Sequence, residues 1–355
     1  MNYHFCNKQI TGILTVVPEH VVNFDDEIEH YAFSRAQCMQ LKKVMGYKQH
    51  HICRTPACVS DLVCSGFRHL FEQGLLQRDE VDALLLLTNS PDYPVPPTSN
   101  VIQGMLDLRE DTLCLDINQG CAGYMVGLLQ AFLLLSQPEI RKVAVVTADI
   151  ASRTHSYKDR ASYPLLGDAA AISIVENKPS PDIHMIMKMR GKEALTIWQP
   201  AGGLREPASA ESILLREESP GNFMTRHHIR MQGDAVFNYV MKEIPPLLAD
   251  ILSLYGLSEE AVDFFMLHQP NRFILNRIAS KMGISPDKMP SNVVELLGNS
   301  IGSTIPCNSA LNLGERLESE RFRLCLSGFG EGLICAATIM ELGPMDFCRM
   351  VEIDI

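Results

Sequence analysis

Unbroken apolar runs alternate with helical patterns along the chain. Residues 84–87 and 143–146 consist only of Leu, Val and Ala. Such unpatterned runs are typical of strands that are buried on both faces of a sheet. Farther along, apolar residues recur at helical spacing at Ile274, Leu275 and Ile278. Strands that alternate with helices predict an α/β architecture.

The chain contains two versions of one unit. Residues 80–87 (EVDALLLL) resemble residues 261–268 (AVDFFMLH), which lie 181 positions later. The same offset relates two further pairs of positions, Cys121 with Gly302 and Val143 with Leu324. Three elements that share one offset indicate a duplication. Two prolines in residues 177–182 interrupt the pattern, so we predict halves at 1–176 and 177–355.

Residues 115–124 (LDINQGCAGY) contain the strongest candidate for chemistry. An apolar run ends in small residues and an apolar stretch follows from Met125, which predicts a strand, a tight turn and a buried helix. Cys121 would then lie near a helix N-terminus, where N–H groups and the helix dipole stabilise a thiolate. The thiolate would be a nucleophile. The structural alternative is a small buried hydrophobe.

Two polar segments follow in the second half. The first is residues 267–271 (LHQPN), and it contains His268, the last residue of the second copy of the strand. Asn271 begins a helical pattern, which predicts a capping or orienting role. Asn299 lies between a glycine and a serine, where a turn asparagine is the structural alternative.

Cysteine, histidine and asparagine in this order resemble the active site of the β-ketoacyl-ACP synthase III family. The segments 157–160 (YKDR) and 166–171 (LGDAAA) also resemble that family, and the resemblance covers nearly the whole chain. It implies a thiolase-like fold in which duplicated halves form five αβαβα layers. It also implies a homodimer that acts on acyl-CoA or an acyl carrier protein.

The resemblance implies a chemistry for each residue. Cys121 accepts an acyl group from a thioester, and its N–H and the loop around Gly330 and Gly332 bind the oxyanion. His268 and Asn299 then donate hydrogen bonds to the enolate that forms when a malonyl thioester loses carbon dioxide. This reaction requires neither a metal nor a redox cofactor.

Several residues depart from the family pattern. Residues 45–50 lack the tryptophan that often stacks on the adenine of CoA, so a carrier-bound primer is also possible. Val95 stands where acetyl-selective relatives place a phenylalanine, which predicts a roomier acyl pocket. Glu331 replaces a small or apolar residue and would raise the pKa of the thiol, serve as a base or bind a polar substrate group. We favour the alternative in which Glu331 points away, paired with an arginine.

Basic residues suggest how a substrate binds. By the resemblance, Arg160 contacts the nucleotide or pantetheine arm of the substrate, and a surface ion pair is an equally good explanation. Arg272 begins a candidate patch for an acidic carrier protein, and ordinary solvated charges explain it equally well. The other members of this patch are Arg226, Arg230, Arg277 and Lys281.

Composition excludes several classes of protein. The 355 residues are 46% hydrophobic and 21% charged, with a net charge of −11. This balance indicates a globular protein and argues against general nucleic-acid binding. No apolar run reaches the roughly 18–20 residues of a membrane span, and residues 1–5 lack signal-peptide features. We therefore expect a cytoplasmic protein whose eleven cysteines are reduced.

The sequence supports one leading function and two alternatives. The leading hypothesis is a condensing enzyme of a specialised fatty-acid or polyketide-type pathway. The first alternative is an acyltransferase that passes the acyl group from Cys121 to an alcohol or amine. The second is a non-catalytic partner subunit of a heteromeric synthase. A thiolase is disfavoured because Cys325 and Cys335 do not match the second catalytic cysteine of that family.

Overall fold

The computed structural model describes residues 1–54 and 56–355. The strands are β1 (Asn2–Phe5), β2 (Lys8–Pro18), β3 (Val21–Asn23), β4 (Gln49–His51), β5 (Ala83–Leu87), β6 (Leu113–Ile117), β7 (Lys142–Asp149), β8 (Ala169–Asn177), β9 (Ile183–Met189), β10 (Ile197–Trp198), β11 (Arg216–Ser219), β12 (Asn222–Met224), β13 (Arg230–Met231), β14 (Phe264–Leu267), β15 (Phe322–Gly330), β16 (Ile334–Leu342) and β17 (Phe347–Ile353). The α-helices are α1 (Phe24–Glu27), α2 (Arg35–Leu41), α3 (Val59–Glu72), α4 (Thr98–Leu106), α5 (Gly123–Leu134), α6 (Ala151–Thr154), α7 (Gly233–Tyr255), α8 (Arg272–Met282), α9 (Val293–Leu296), α10 (Thr304–Asn312) and α11 (Arg316–Ser319).

Two mixed sheets form the centre of the molecule. One has the strand order β17-β2-β8-β7-β5-β6, and the other has the order β1-β9-β16-β15-β14. In the first sheet β5 is parallel to β7, and β7 is antiparallel to β8. In the second sheet β14 is parallel to β15, and β15 is antiparallel to β16. The two sheets therefore share one local topology.

The strand register repeats at the predicted offset. Ala83 pairs with Val143 in the first sheet, and Phe264 pairs with Leu324 in the second, each 181 positions after its counterpart. Helices α5 and α10 begin with the same separation. The structure thus confirms that the three sequence similarities belong to one repeated strand and helix unit.

Apolar clusters define five layers. Helices α3 and α4 cover the outer face of the six-stranded sheet. Helices α5 and α10 lie between the sheets, and α7 and α8 cover the outer face of the five-stranded sheet. Helix α5 is apolar around most of its circumference, as a helix buried between two sheets requires. The predicted αβαβα arrangement is confirmed.

The terminal strands cross between the two sheets. β1 pairs with β9 in the five-stranded sheet, and β17 pairs with β2 in the six-stranded sheet. The division into halves at 1–176 and 177–355 stays a prediction. Across residues 1–54 and 56–355, no helix combines the length and the apolar character needed to cross a membrane.

Candidate active site

Cys121 lies in the turn between β6 and α5, two residues before α5 begins, as the sequence predicts. The turn is closed by the N–H of Gly123, which donates to Gly120 O at 2.6 Å. Gly330, the last residue of β15, packs directly on the cysteine. A Cβ on Gly330 would lie 2.3 Å from Cys121 Cβ and 3.1 Å from Sγ. Only glycine allows this approach, because real Cβ contacts are longer.

His268 follows β14, and its N–H donates to Ser327 O at 2.8 Å. The residue is 2% exposed, and its ring is nearly perpendicular to the Phe329 ring, at a centroid distance of 5.4 Å and an interplanar angle of 82°. Phe329 directly precedes Gly330, so consecutive residues of one strand contact the histidine and the cysteine. The end of β15 therefore brings His268 and Cys121 together.

Burial holds His268 neutral. Its pKa is lowered to about 3 because the charged imidazolium loses its hydration. Nδ1 lies 2.7 Å from Thr304 Oγ1, at the first residue of α10. Thr304 has one hydroxyl proton, for which His268 Nδ1 and the carbonyl of Ile301, 3.2 Å from the same Oγ1, are alternative acceptors. With that proton donated to Nδ1, the ring proton resides on Nε2 and can be donated to a substrate oxygen.

Asn299 is held by its backbone and by its own side chain. Its N–H donates to Leu165 O at 2.6 Å, and its carbonyl accepts from Gly167 N at 3.1 Å. The side-chain Oδ1 accepts from Ile301 N at 3.0 Å. The amide group therefore keeps its two Nδ2–H donors for another acceptor.

Ile301 joins the three parts of the site. It contacts the turn of the cysteine, because a Cβ on Gly120 would lie 2.6 Å from Ile301 Cγ2. Its carbonyl oxygen lies 3.2 Å from Thr304 Oγ1, beside the histidine. Its φ is +55°, which is rare for a β-branched residue and costs about 1–3 kcal/mol. The sequence reasoning missed Ile301 and Thr304, although both lie within five residues of Asn299.

The structure contradicts the favoured orientation of Glu331. The side chain points toward the nucleophile and not away from it. Its carboxylate accepts from the N–H of Gly120 and, at 3.1 Å, from the N–H of Cys121. Among the residues that the structure describes, no ion pair includes Glu331. The Cys121 N–H, expected to be a free oxyanion donor, is thus engaged by a carboxylate.

A second carboxyl group lies behind the turn. Asp149 ends β7 and is 2% exposed. Its Oδ1 accepts from Thr88 Oγ1, Asn89 N and Ser90 Oγ at 2.8–3.2 Å. Its Oδ2 is buried without a partner. Burial, together with the charge of Glu331, raises the pKa of Asp149 to about 7. Sequence reasoning did not single out Asp149.

The environment of Cys121 favours a thiol and not the expected thiolate. Burial raises its pKa well above the usual value, and the carboxylates of Glu331 and Asp149 raise it further. The start of a helix contributes only about 0.3–1 kcal/mol toward the thiolate at an exposed site. Desolvation and two nearby carboxylates outweigh this contribution. The thiol proton therefore needs an acceptor when Cys121 attacks a thioester.

The predicted binding residues have different surroundings. Asn271 is the N-cap of α8, and its side chain accepts from Ile274 N at 2.9 Å, which confirms the predicted cap. Arg160 lies over the Phe33 ring at 4.6 Å. Val95 is 82% exposed. Roles of Arg160 and Val95 in substrate binding stay predictions.

Most of the candidate basic patch is paired with carboxylates. Arg272 forms an ion pair with Glu295. Two further pairs involve members of the patch, Arg226 with Glu206 and Arg230 with Glu218. These pairs reduce the positive charge available to an acidic partner.

One group of side chains within the described residues has ligand spacing for a metal ion. His4, Cys6 and Asp182 place their ligand atoms within 4.8 Å of one another, and all three are exposed. Asp182 also lines a surface cavity with Tyr255. Both features lie near the Leu342 end of β16, whereas Glu331 lies just beyond its other end, so they are not part of the Cys121 site.

Comparisons with known proteins show which family this chain resembles. The family model "3-Oxoacyl-[acyl-carrier-protein (ACP)] synthase III" matches residues 115–191, and the C-terminal model of that family matches residues 252–342. A β-ketoacyl-[acyl-carrier-protein] synthase III of Lactococcus lactis is 27% identical over 348 residues, covering 94% of this chain and 99% of the relative.

Two crystal structures are similar over nearly their whole length. A 3-oxoacyl-(acyl-carrier protein) synthase from Burkholderia xenovorans has a TM-score of 0.91 at 28% identity, with 99% of each chain covered. A 3-oxoacyl-(acyl-carrier-protein) synthase III has a TM-score of 0.86 at 30% identity, covering 94% of this chain and 99% of the other. These likenesses confirm the predicted thiolase-like fold.

Proposed function

The chain belongs to the 3-oxoacyl-[acyl-carrier-protein] synthase III family of acyltransferases, and on that premise we propose that it performs a decarboxylative Claisen condensation. An acyl group is first held on Cys121 and is then joined to a malonyl thioester. The observation that carries this proposal is the convergence of Cys121, His268 and Asn299, through Phe329, Gly330 and Ile301.

Acylation begins with attack of the Cys121 sulfur on the carbonyl carbon of a thioester. Because residue 330 is a glycine, that position places no side chain against the sulfur. The turn at residues 120–121 presents two N–H groups side by side, which is the donor arrangement that a tetrahedral oxyanion needs. In this chain the carboxylate of Glu331 must leave those donors before the oxyanion can use them.

Condensation needs donors that do not release a proton. Loss of carbon dioxide from the malonyl thioester creates an enolate, which attacks the acyl-Cys121 carbonyl. His268 is neutral because its pKa is about 3, so it donates a hydrogen bond without carrying a charge. Asn299 offers its Nδ2–H groups in the same role. A carboxylate at position 299 would instead repel the enolate.

A second candidate function has one specific observation in its favour. Transfer of the acyl group from Cys121 to an alcohol or amine needs a base to remove the proton of the acceptor. Glu331 is a carboxylate beside the nucleophile. The release of carbon dioxide during turnover distinguishes the condensation from this transfer.

The homodimer is supported by an exposed apolar edge. β6 is an edge strand of the six-stranded sheet, and Leu113 and Leu115 on it are 38% and 42% exposed. Exposed, unpaired apolar edges are ready to pair with another chain. Val95, at 82% exposure, is available to reach a partner's acyl pocket. The departures at residues 45–50 and at Val95 favour a specialised pathway.

Intact-protein mass spectrometry tests the proposal. The protein is incubated with a series of acyl-CoA and acyl-carrier thioesters, beside Cys121→Ala and, as a matched control, Cys6→Ala at an exposed thiol. We expect an acyl adduct on the wild type and on Cys6→Ala, and none on Cys121→Ala. Addition of a malonyl thioester should then release carbon dioxide and free the cysteine. An adduct that persists on Cys121→Ala would refute the proposed nucleophile.

A further inference from the structure

Glu331 is placed for chemistry that the family pattern does not include. Its two carboxylate oxygens accept from the N–H groups of Gly120 and Cys121. A Cβ on Gly120 would lie 2.4 Å from Glu331 Oε1, so the carboxylate is seated tightly against the turn. It also faces the Cys121 thiol, whose pKa it raises.

No cation neutralises this carboxylate within the described residues. The nearby ionisable group is Asp149, which is also acidic. Two backbone donors therefore hold the negative charge of Glu331 in one orientation. A carboxylate that is held by amide groups beside a protonated nucleophile is arranged as a proton acceptor.

Building on the proposed function, we propose that Glu331 is the general base and acid for the acylation of Cys121. In the first step the sulfur forms a bond to the thioester carbonyl carbon, and the thiol proton moves to the Glu331 carboxylate. In the second step the tetrahedral intermediate breaks its bond to the donor sulfur, and the Glu331 carboxyl returns the proton to that sulfur. The net products are acyl-Cys121 and a free thiol, with Glu331 ionised again.

Proton transfer also explains how the oxyanion gains its donors. An ionised carboxylate beside a developing oxyanion would oppose it electrostatically. Once Glu331 accepts the thiol proton it is neutral and no longer competes as an anion for the N–H of Cys121. One proton transfer therefore accompanies formation of the oxyanion and frees the N–H of Cys121 from Glu331 to bind it.

His268 is a weaker candidate for this base. Its low pKa makes it a poor proton acceptor at neutral pH. It is also 2% exposed, and its Nδ1 is engaged with Thr304 Oγ1 at 2.7 Å. Glu331 in contrast contacts the N–H of the nucleophile itself.

Two reactions of Cys121 distinguish a general base at Glu331 from a residue that only maintains the structure of the turn. The first is single-turnover acylation by an acyl thioester, followed by rapid quench and intact mass. The second is alkylation of Cys121 by iodoacetamide, which needs a thiolate but no protonated leaving group. The variants are Glu331→Gln, which keeps an acceptor for the amides but cannot take a proton, and Glu331→Asp, which keeps a base. Glu139→Gln is the matched control, because Glu139 is exposed beyond the other end of α5.

The proposal predicts opposite effects on the two reactions. Glu331→Gln should slow acylation by about 100-fold or more. The same change removes a negative charge from beside the thiol and should speed alkylation, by about threefold for each unit by which the thiol pKa falls. Glu331→Asp should recover part of the acylation rate, and Glu139→Gln should match the wild type in both reactions.

Results that contradict the role of Glu331 can be told apart from results that contradict the proposed function. Wild-type acylation rates in Glu331→Gln would overturn the role of Glu331 while leaving the proposed function intact. Slowing of both reactions together, in Glu331→Gln and Glu331→Asp alike, would indicate a distorted turn and would also overturn it. Failure of the wild type itself to form an acyl adduct would refute the proposed function, and this inference with it.

Discussion

Substitution of Gly330 by alanine tests the contact that places the nucleophile. The added Cβ would lie 2.3 Å from Cys121 Cβ and 3.1 Å from Sγ. Ordinary van der Waals contact begins at 3.4 Å. The segments that carry Gly330 and Cys121 must therefore separate by about 1.1 Å, the difference between 3.4 and 2.3. Gly330 is paired with Ile334 in the hairpin of β15 and β16, which restricts its retreat, so the turn that carries Cys121 must move instead.

The expected loss follows from that displacement. A misplacement of about 1 Å at a reacting group costs on the order of 100-fold in rate, and overpacking a tight site lowers the free energy of unfolding by about 1–3 kcal/mol. We therefore expect Gly330→Ala to acylate Cys121 about 100-fold more slowly than the wild type while remaining folded. Single-turnover mass spectrometry measures the rate, and thermal unfolding monitors the fold.

A matched substitution controls for the change of glycine to alanine. Gly104 lies in α4, and a Cβ there meets no atom within 4 Å. Gly104→Ala should leave acylation unchanged and stabilise the helix by up to about 1 kcal/mol. If Gly330→Ala acylated as fast as Gly104→Ala, the packing of Gly330 on Cys121 would not position the nucleophile, and the reasoning would be wrong.

Three further predictions concern the other residues of the site. Thr304→Val removes the partner of His268 Nδ1 and should slow carbon dioxide release at least tenfold, whereas acylation of Cys121 should continue. Separate assays of the two steps measure these rates, and equal slowing of both steps would contradict the role of Thr304. Asn299→Asp places a negative charge beside the enolate and should reduce carbon dioxide release by about 100-fold or more, whereas unchanged release would remove Asn299 from the enolate site. Burial lowers the folded-state pKa of His268 to about 3 and that of His155 to about 4, so at these two groups the unfolded chain binds more protons below about pH 6.5. Asp149, with a folded-state pKa of about 7, has the opposite effect but cancels when the wild type is compared with His155→Gln. The free energy of unfolding of the wild type relative to His155→Gln should therefore decrease as the pH is lowered from about 6.5 to about 4 in a urea titration series, and a difference that does not change with pH would contradict the burial effect.

Local patterns in the sequence predict the helices and strands and the order of Cys121, His268 and Asn299 along the chain. The unpatterned runs 84–87 and 143–146 became β5 and β7, because strands that are covered on both faces need no polar positions. The 181-residue offset predicted that β14 and β15 would repeat their pairing. Asn271 became a helix cap, since a short polar side chain before a helical pattern satisfies the first free N–H groups.

The orientation of Glu331 shows what local patterns leave open. Its partners, Gly120 and Cys121, are 211 and 210 positions away in the chain. A glycine-rich loop indicates that the backbone approaches another segment closely, but it does not indicate where the side chain of Glu331 points. The same holds for Ile301, whose left-handed φ of +55° follows from contacts on both sides of its turn and not from its own preference.

The sequence by itself determined the α/β alternation, the duplication, and the identity and order of Cys121, His268 and Asn299. These properties are encoded in periodicity and in residue type, which are local. Only the tertiary structure decided the protonation of the site. Whether Cys121 is a thiol or a thiolate depends on the sum of burial, the helix terminus and the charges of Glu331 and Asp149. That sum depends on distances across the fold, because electrostatic interactions change with separation and with exposure to water.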